Sequence, residues 1–358
     1  MSKKTAIILF NSGGPDKPES IKGFLFNFFN DKAIIGLIQP FRFLLAQLIS
    51  LKRNKITKDI YDKIGGKSPI LEITNAQGEV LEKELSFVGD FKVFVSMRYW
   101  HPFSSQVIKK VKDYAPDEII LLPLYPQFSS TTTKSSFDDF CKKLKKSKID
   151  SKLKYVCCYP TNPQFVSSHS RLILNEIAKA KSAGFQDCRL LFCAHGLPQK
   201  LVDAKDPYCF QVKSSVDAII SKLEEGGKIE DQIDHLICYQ SKSGAREWTK
   251  PSLEFEIRKA ALENKSIIII PIDFVSDNSE TLVGLDIKYD ELAEKLKIPF
   301  YTRVPTLNVD GYFIDALLDI CKRTSEATYR CNGGEYGERI CPKDFGKCIN
   351  PNLSNKNI

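Results

Sequence analysis

Two side chains able to work on a proton or a divalent cation stand just beyond apolar runs. His195 closes the run Arg189-Leu190-Leu191-Phe192-Cys193-Ala194 and is followed by Gly196 and Pro198. Glu280 comes after four consecutive isoleucines, Ile267 to Ile270, and the segment Pro271-Ile272-Asp273-Phe274-Val275-Ser276-Asp277-Asn278-Ser279. An imidazole and a carboxylate facing each other can share a proton, or hold a divalent metal with open positions. With no further His or Cys ligand evident beside them, such a pair suits a metal that is handed on, and suits structural zinc badly. Each residue also has a plainer reading. His195 can bond a nearby loop, and Glu280 can be the capping-box partner of Asp277 at the start of the helical pattern Leu282, Leu285, Tyr289 and Leu292.

The elements that place them follow from the pattern. A continuous Leu/Phe or Ile run bounded by turn residues predicts a parallel strand covered on both faces, because neither face can be polar. Gly196 is expected to permit a sharp turn and Pro198 to stop further pairing. Ligands of open α/β sheets collect beyond the carboxyl ends of the strands, where both His195 and Glu280 would lie. The chain also starts the same unit twice. Ile7 to Phe10 lies over Leu190 to Cys193, Ser12 over His195, Gly13 over Gly196 and Pro15 over Pro198, while Glu118 to Leu122 with Pro123 matches Ile267 to Ile270 with Pro271. A duplicated α/β domain with its boundary near residue 160 is expected. The spacing of Gly13-Gly14 fits neither a P-loop nor GxGxxG, so a turn pair is expected there.

Composition narrows the class. A chain of 358 residues, 42% apolar and 27% charged, is long enough for two core-bearing domains. Its net charge of +8 is scattered, with no basic stripe interleaved with aromatics, which argues against nucleic-acid binding and suits an anionic small molecule or membrane face. Eleven cysteines, with Cys157 and Cys158 adjacent, fit a reducing compartment and no structural disulfides. Met1-Ser2-Lys3-Lys4 runs straight into a strand, so a cytoplasmic protein is expected. The segment Ile34 to Leu51, broken by Pro40, is too short to span a bilayer. Composition alone makes it core; the other reading is a lip meeting lipid or a flat apolar ligand. The cluster Lys52-Arg53-Asn54-Lys55 directly after it can meet carboxylates or lipid headgroups.

Several separated motifs, in order, resemble the ferrochelatase family over about residues 5 to 325. They are Leu191 to Pro198, Asp206-Pro207-Tyr208, Tyr239-Gln240-Ser241 with Gly244 and Trp248, and Phe274-Val275-Ser276-Asp277 with Glu280-Thr281-Leu282. Upstream stand Tyr61 to Pro69, Met97-Arg98-Tyr99, and Tyr125-Pro126-Gln127 with the hydroxyl run Ser129 to Thr133. The resemblance implies two Rossmann-like, chelatase-type α/β domains with parallel sheets and a cleft between them. These are an N-terminal domain over 1–160 with the lip at 34–51, a C-terminal domain over 161–325 carrying His195 and Glu280, and a Cys-containing tail over 326–358. It implies a lyase of haem biosynthesis that inserts ferrous iron into protoporphyrin IX with loss of two pyrrole protons. By position, His195 and Glu280 resemble the catalytic and metal-meeting pair. Arg53, Tyr61, Ser68, Arg98, Tyr99, Tyr125 and Trp248 resemble porphyrin-contacting positions. The lip implies peripheral membrane contact.

The chain also departs from the family. Asn278 stands where many relatives have histidine, and the acidic row that often follows the glutamate reads Glu280, Gly284, Lys288 here. Lys205 and Ala245 replace a usual glycine and a frequent proline. Cys331, Cys341 and Cys348 resemble the tail cysteines that hold a [2Fe-2S] cluster in some relatives. Four thiolates are needed, Ser130 occupies the matching body position, and only Cys141, Cys157 or Cys158 remain as substitutes, so free thiols are expected. The alternatives to a ferrous chelatase are a non-catalytic porphyrin, haem or metal carrier on the same fold, or a chelatase for another tetrapyrrole such as coproporphyrin.

Overall fold

Parallel strands organise both halves of the chain, and the central strands of each sheet are buried on both faces, as the apolar runs predict. The computed structural model describes residues 3–225, 233–240, 246–328, 330–333 and 338–351. Ser241, Gly244 and Ala245 lie outside the described residues. The chain divides into two units, Met1–Cys158 with Leu317–Ile340 and Ile349–Ile358, and Tyr159–Ala316 with Cys341–Cys348.

The first unit runs β1 (Lys4–Asn11), α1 (Ile21–Phe29), α2 (Phe41–Asp62), α3 (Ile70–Leu85), β2 (Asp90–Met97), α4 (Ser104–Tyr114), β3 (Glu118–Pro123), α5 (Thr133–Ser147) and β4 (Lys152–Val156). The second runs α6 (Pro163–Ser182), β5 (Cys188–His195), α7 (Gln199–Asp203), α8 (Tyr208–Glu225), β6 (His235–Gln240), α9 (Leu253–Leu262), β7 (Ser266–Pro271), a π-helix (Glu280–Tyr289), α10 (Asp290–Lys295) and β8 (Tyr301–Arg303). After α11 (Gly311–Glu326), the short β9 (Cys331–Asn332) pairs with β4. The segment that the sequence sets apart as a tail thus adds an edge strand to the first sheet, and Cys157 N–H donates to the Asn332 carbonyl at 2.7 Å.

The strand orders are β2-β1-β3-β4-β9 and β6-β5-β7-β8, all parallel. Ala6 to Leu9 of β1 and Ile267 to Ile270 of β7 have no exposed surface. Burial of each such isoleucine contributes about 1.5–3 kcal/mol.

The repeat read from the sequence recurs in the hydrogen-bond register. Phe10 lies opposite Ser96 and Pro123, and Cys193 opposite Cys238 and Pro271. Leu124 N–H donates to the Phe10 carbonyl at 2.8 Å, and Ile272 N–H to the Cys193 carbonyl at 3.1 Å. The two glycines matched across the repeat serve different ends. Gly13 has φ +77°, whereas a Cβ on Gly196 would come within 2.8 Å of the Gln240 carbonyl oxygen, so Gly196 is needed for close approach and not for a left-handed turn.

The apolar segment 34–51 is not core throughout. Ala46 and Ser50 turn inward, while Ile38, Phe41, Leu44, Leu48 and Leu51 are each more than half exposed. No helix among the described residues is long and apolar enough to cross a membrane.

Candidate active site

His195 is the last residue of β5 and sits on the carboxyl rim of the second sheet. Its Nδ1 lies 3.0 Å from Glu280 Oε2. A carboxylate can only accept here, so Nδ1 carries a hydrogen, and in the neutral imidazole Nε2 carries the lone pair. Both side chains are about one-third exposed, at 38% and 34%, so the pair is open to a reactant. Burial alone would lower the imidazole pKa. The Glu280 charge and hydrogen bond, helped by Asp273, overturn that and raise it to about 9.

The segment before Glu280 differs from the expected N-cap at Asp277. Asn278 does the capping, its Oδ1 accepting the Glu280 N–H at 2.8 Å. Asp277 instead accepts from the Thr281 hydroxyl at 2.9 Å and pairs with Arg303 at 3.2 Å. The following turns form a π-helix rather than an α-helix.

The loop after His195 is tied to the segment carrying Trp248. Leu197 N–H donates to the Thr249 hydroxyl at 3.1 Å, Thr249 N–H returns to the Leu197 carbonyl at 2.9 Å, and Trp248 Cε3 would lie 3.5 Å from a Cβ on Gly196. Trp248 is half-buried. These bonds hold the indole beside the His195 loop.

The remaining sequence candidates lie in the first unit. Arg98 and Tyr99 follow β2 and converge on Asp31, through an Arg98 guanidinium contact at 2.8 Å and a Tyr99 O–H contact at 3.0 Å. Arg98 Nε also donates to the Ser135 hydroxyl at 2.8 Å. Burial and the Asp31 charge push the Tyr99 phenol well above its usual range, and burial does the same to Tyr125. Ser68 is buried and packs against Gly14, where a Cβ would come within 2.5 Å of its own Cβ. Tyr61 is buried, and its carbonyl accepts the Gly66 N–H at 2.8 Å. Arg53 is exposed, with its guanidinium 5.4 Å from the centre of the Phe29 ring. In the hydroxyl run, Ser129 and Thr131 bond each other at 3.0 Å, while Thr132 Oγ1 and Thr133 Oγ1 are buried without a hydrogen-bond partner among the described residues.

Two carboxylates that build these sites have no role in the sequence reading. Asp31 holds Arg98 and Tyr99 in place. Asp273 Oδ2 accepts the His195 N–H at 3.1 Å and the Tyr208 O–H at 2.7 Å, and burial raises its pKa to about 6. The repeat contained the signal for Asp273, since it stands two residues past Pro271 as Tyr125 stands past Pro123.

Cys141, Cys188, Cys193, Cys209, Cys238 and Cys321 are free thiols. Cys157, Cys158 and Cys331 pack into one buried group with Phe128, whereas Cys341 lies in the second unit and receives a bond from Gln211 Nε2 at 3.1 Å. No group of three or more His, Cys, Asp or Glu among the described residues is placed to hold a metal ion.

Comparison with known proteins agrees with this arrangement. Residues 4–325 match the family profile described as Ferrochelatase. A ferrochelatase of Rickettsia bellii is 47% identical over 351 residues, covering 97% of this chain and 95% of the relative. One from Wolbachia of Drosophila simulans is 45% identical, covering 89% and 98%. The structure of SirB from Bacillus subtilis with Fe3+ aligns over 90% of this chain and 96% of its own at 13% identity, with a TM-score of 0.53, so the fold is shared. Family profile and full-length relatives coincide on the segments that carry His195 and Glu280, and the chain belongs to the ferrochelatase family.

Proposed function

We propose that this protein inserts ferrous iron into protoporphyrin IX, with His195 as the group that takes the pyrrole protons. The observation that carries the assignment is the 3.0 Å contact between His195 Nδ1 and Glu280 Oε2 on an open rim. In the neutral imidazole Glu280 fixes the tautomer that leaves Nε2 to accept a proton, and it stabilises the imidazolium that forms. Two N–H bonds of the macrocycle are broken, two protons leave, and the metal takes their place on the nitrogens. His195 and Glu280 offer one nitrogen and one carboxylate oxygen to incoming ferrous iron, donor types that suit it. By the family resemblance, Arg53, Arg98 and Tyr99 are assigned to the anionic propionates or the wall of the site, and Trp248 and Tyr125 to the macrocycle face.

The exposed row Phe41, Leu44, Leu48 and Leu51, followed by Lys52, Arg53, Lys55 and Lys58, supports peripheral contact with an anionic membrane. Vesicle co-sedimentation with and without anionic lipid, for wild type and Leu48→Asp, tests that contact.

The central test is anaerobic turnover of protoporphyrin with ferrous iron, followed by the porphyrin-to-haem absorbance change, for wild type and His195→Ala. Formation of haem by the wild type and its loss in the variant is the expected result. Porphyrin binding without turnover by the wild type, with coproporphyrin and other divalent metals also inert, would make the protein a carrier.

A further inference from the structure

His195 is held from two sides. Strand β5 lies between β6 and β7, with His195 opposite Gln240 on the β6 side and Asp273 bonded to its backbone on the β7 side. Among the described residues, Asp273 is hydrogen-bonded through one oxygen only. Its Oδ2 takes two donors, the His195 N–H at 3.1 Å and the Tyr208 O–H at 2.7 Å, yet its Oδ1 is buried with no hydrogen-bond partner among the described residues. A buried carboxylate oxygen left unpaired costs stability, so a purely structural acceptor would be served better by a neutral side chain. No arginine or lysine is bonded to Asp273 among the described residues, so its charge is not spent in an ion pair.

We propose that Asp273 is a positioning residue for the His195–Glu280 pair, clamping the end of β5 through the His195 N–H and placing a second negative charge behind the imidazole that favours an approaching divalent cation. This rests on the metal-insertion function proposed above. Asp273 acts through His195 and Tyr208, and no contact with the macrocycle is assigned to it. Tyr208 serves the same end. It comes from the first turn of α8, is itself buried, and its phenol anchors the carboxylate.

The test separates charge from clamp. Asp273→Asn keeps an oxygen for both donors and removes the charge, Asp273→Ala removes both, and Tyr208→Phe removes one anchor while keeping the charge. At pH 8 the expected result for Asp273→Asn is a metal KM raised about tenfold with the porphyrin KM unchanged, since loss of one nearby charge weakens attraction of a divalent cation through a screened, half-open site. Binding of Co2+ alone, without porphyrin, followed by calorimetry, should weaken by a similar factor. Asp273→Ala should add a loss of kcat, and Tyr208→Phe should leave Co2+ binding within about twofold. An Asp273→Asn protein that melts like wild type and matches its metal KM and Co2+ affinity would overturn the proposal. A drop in melting temperature with metal KM and Co2+ affinity unchanged in the folded fraction would also overturn it, by making Asp273 structural only. If the wild type itself neither turns over nor binds Co2+, the underlying functional assignment fails instead.

Discussion

Position for position, Ser12, Arg98 and Tyr125 stand on the rim of the first sheet where His195, Gln240 and Asp273 stand on the rim of the second, two residues past the matched pairs in the register. The backbones are held alike. Met97 N–H donates to the Pro102 carbonyl at 2.8 Å and Tyr239 N–H to the Pro251 carbonyl at 3.0 Å, at equivalent points. The side chains diverge. The first rim carries a cation already neutralised by Asp31 and a half-buried phenol, groups that bind and donate. The second carries an imidazole–carboxylate pair and an unpaired carboxylate oxygen, groups that move protons and meet cations. One scaffold, used twice, supplies the places, and residue identity at three of them sets the chemistry each rim can offer.

The most direct way to break the contrast is to make the second rim a copy of the first. His195→Ser installs the residue that stands at the equivalent position, and turnover should fall by roughly 10²–10⁴-fold, the range for loss of a general base. Because the side chain is 38% exposed, the melting temperature should barely move. Steady-state haem formation beside thermal unfolding checks both halves of the expectation, and a variant within tenfold of wild type would remove His195 from the chemistry.

The first rim should respond in the opposite currency. Arg98→Ala leaves Asp31, only 6% exposed, without its cation, and should destabilise the fold by about 3 kcal/mol, as expected for one orphaned partner of a buried pair. The companion Asp31→Asn should recover part of that in the double variant. Urea denaturation of the four proteins gives the coupling energy, and a loss below about 1 kcal/mol would show that the pair is screened like a surface one.

Acid should also tell the units apart. His169 in α6 is 1% exposed, packs edge-on to Phe165, and neither ring nitrogen finds a hydrogen-bond partner among the described residues. Burial lowers its pKa to about 3, against some opposition from Asp310. A depressed histidine binds fewer protons folded than unfolded, so its contribution is intact above about pH 6.5 and is lost as pH falls toward 3. Between pH 6.5 and 5 the loss should be about 2 kcal/mol. Hydrogen exchange at the two pH values should show α6 loosening first, and His169→Leu should flatten the dependence.

The sequence carries the strand ends and their repeat because burial on both faces allows only apolar runs, and the switch from run to polar residue marks the rim. That is why His195 and the match of Pro123 with Pro271 are legible without coordinates. The partners of those residues are not. Asp31 and Asp273 are single carboxylates in loops, and their roles depend on which distant donors, Arg98, Tyr99 and Tyr208, the fold brings to them. The outward turn of Leu44, Leu48 and Leu51 is likewise invisible to periodicity, because α2 is apolar on both sides and only the packing of Ala46 and Ser50 chooses a face. The return of Cys331 to the first sheet rests on two residue pairs, too short a strand for any pattern to announce.

The mildest perturbation concerns the turn that carries Glu280. Gly284 sits one π-turn later, and a Cβ added there would meet only Gln240 Oε1, at an ordinary 3.6 Å. Gly284 does not need its freedom for a positive φ, so Gly284→Ala should stabilise the protein by about 0.5 kcal/mol through the entropy of the unfolded chain. If the π-helix acts only as a rigid mount for Glu280, turnover should stay within twofold. A several-fold drop in kcat with unchanged KM values would instead mean that the turn must flex as iron passes Glu280, and the contrast between the rims would then include motion as well as residue identity. Thermal melts and kcat on the same preparation decide between a mount and a hinge.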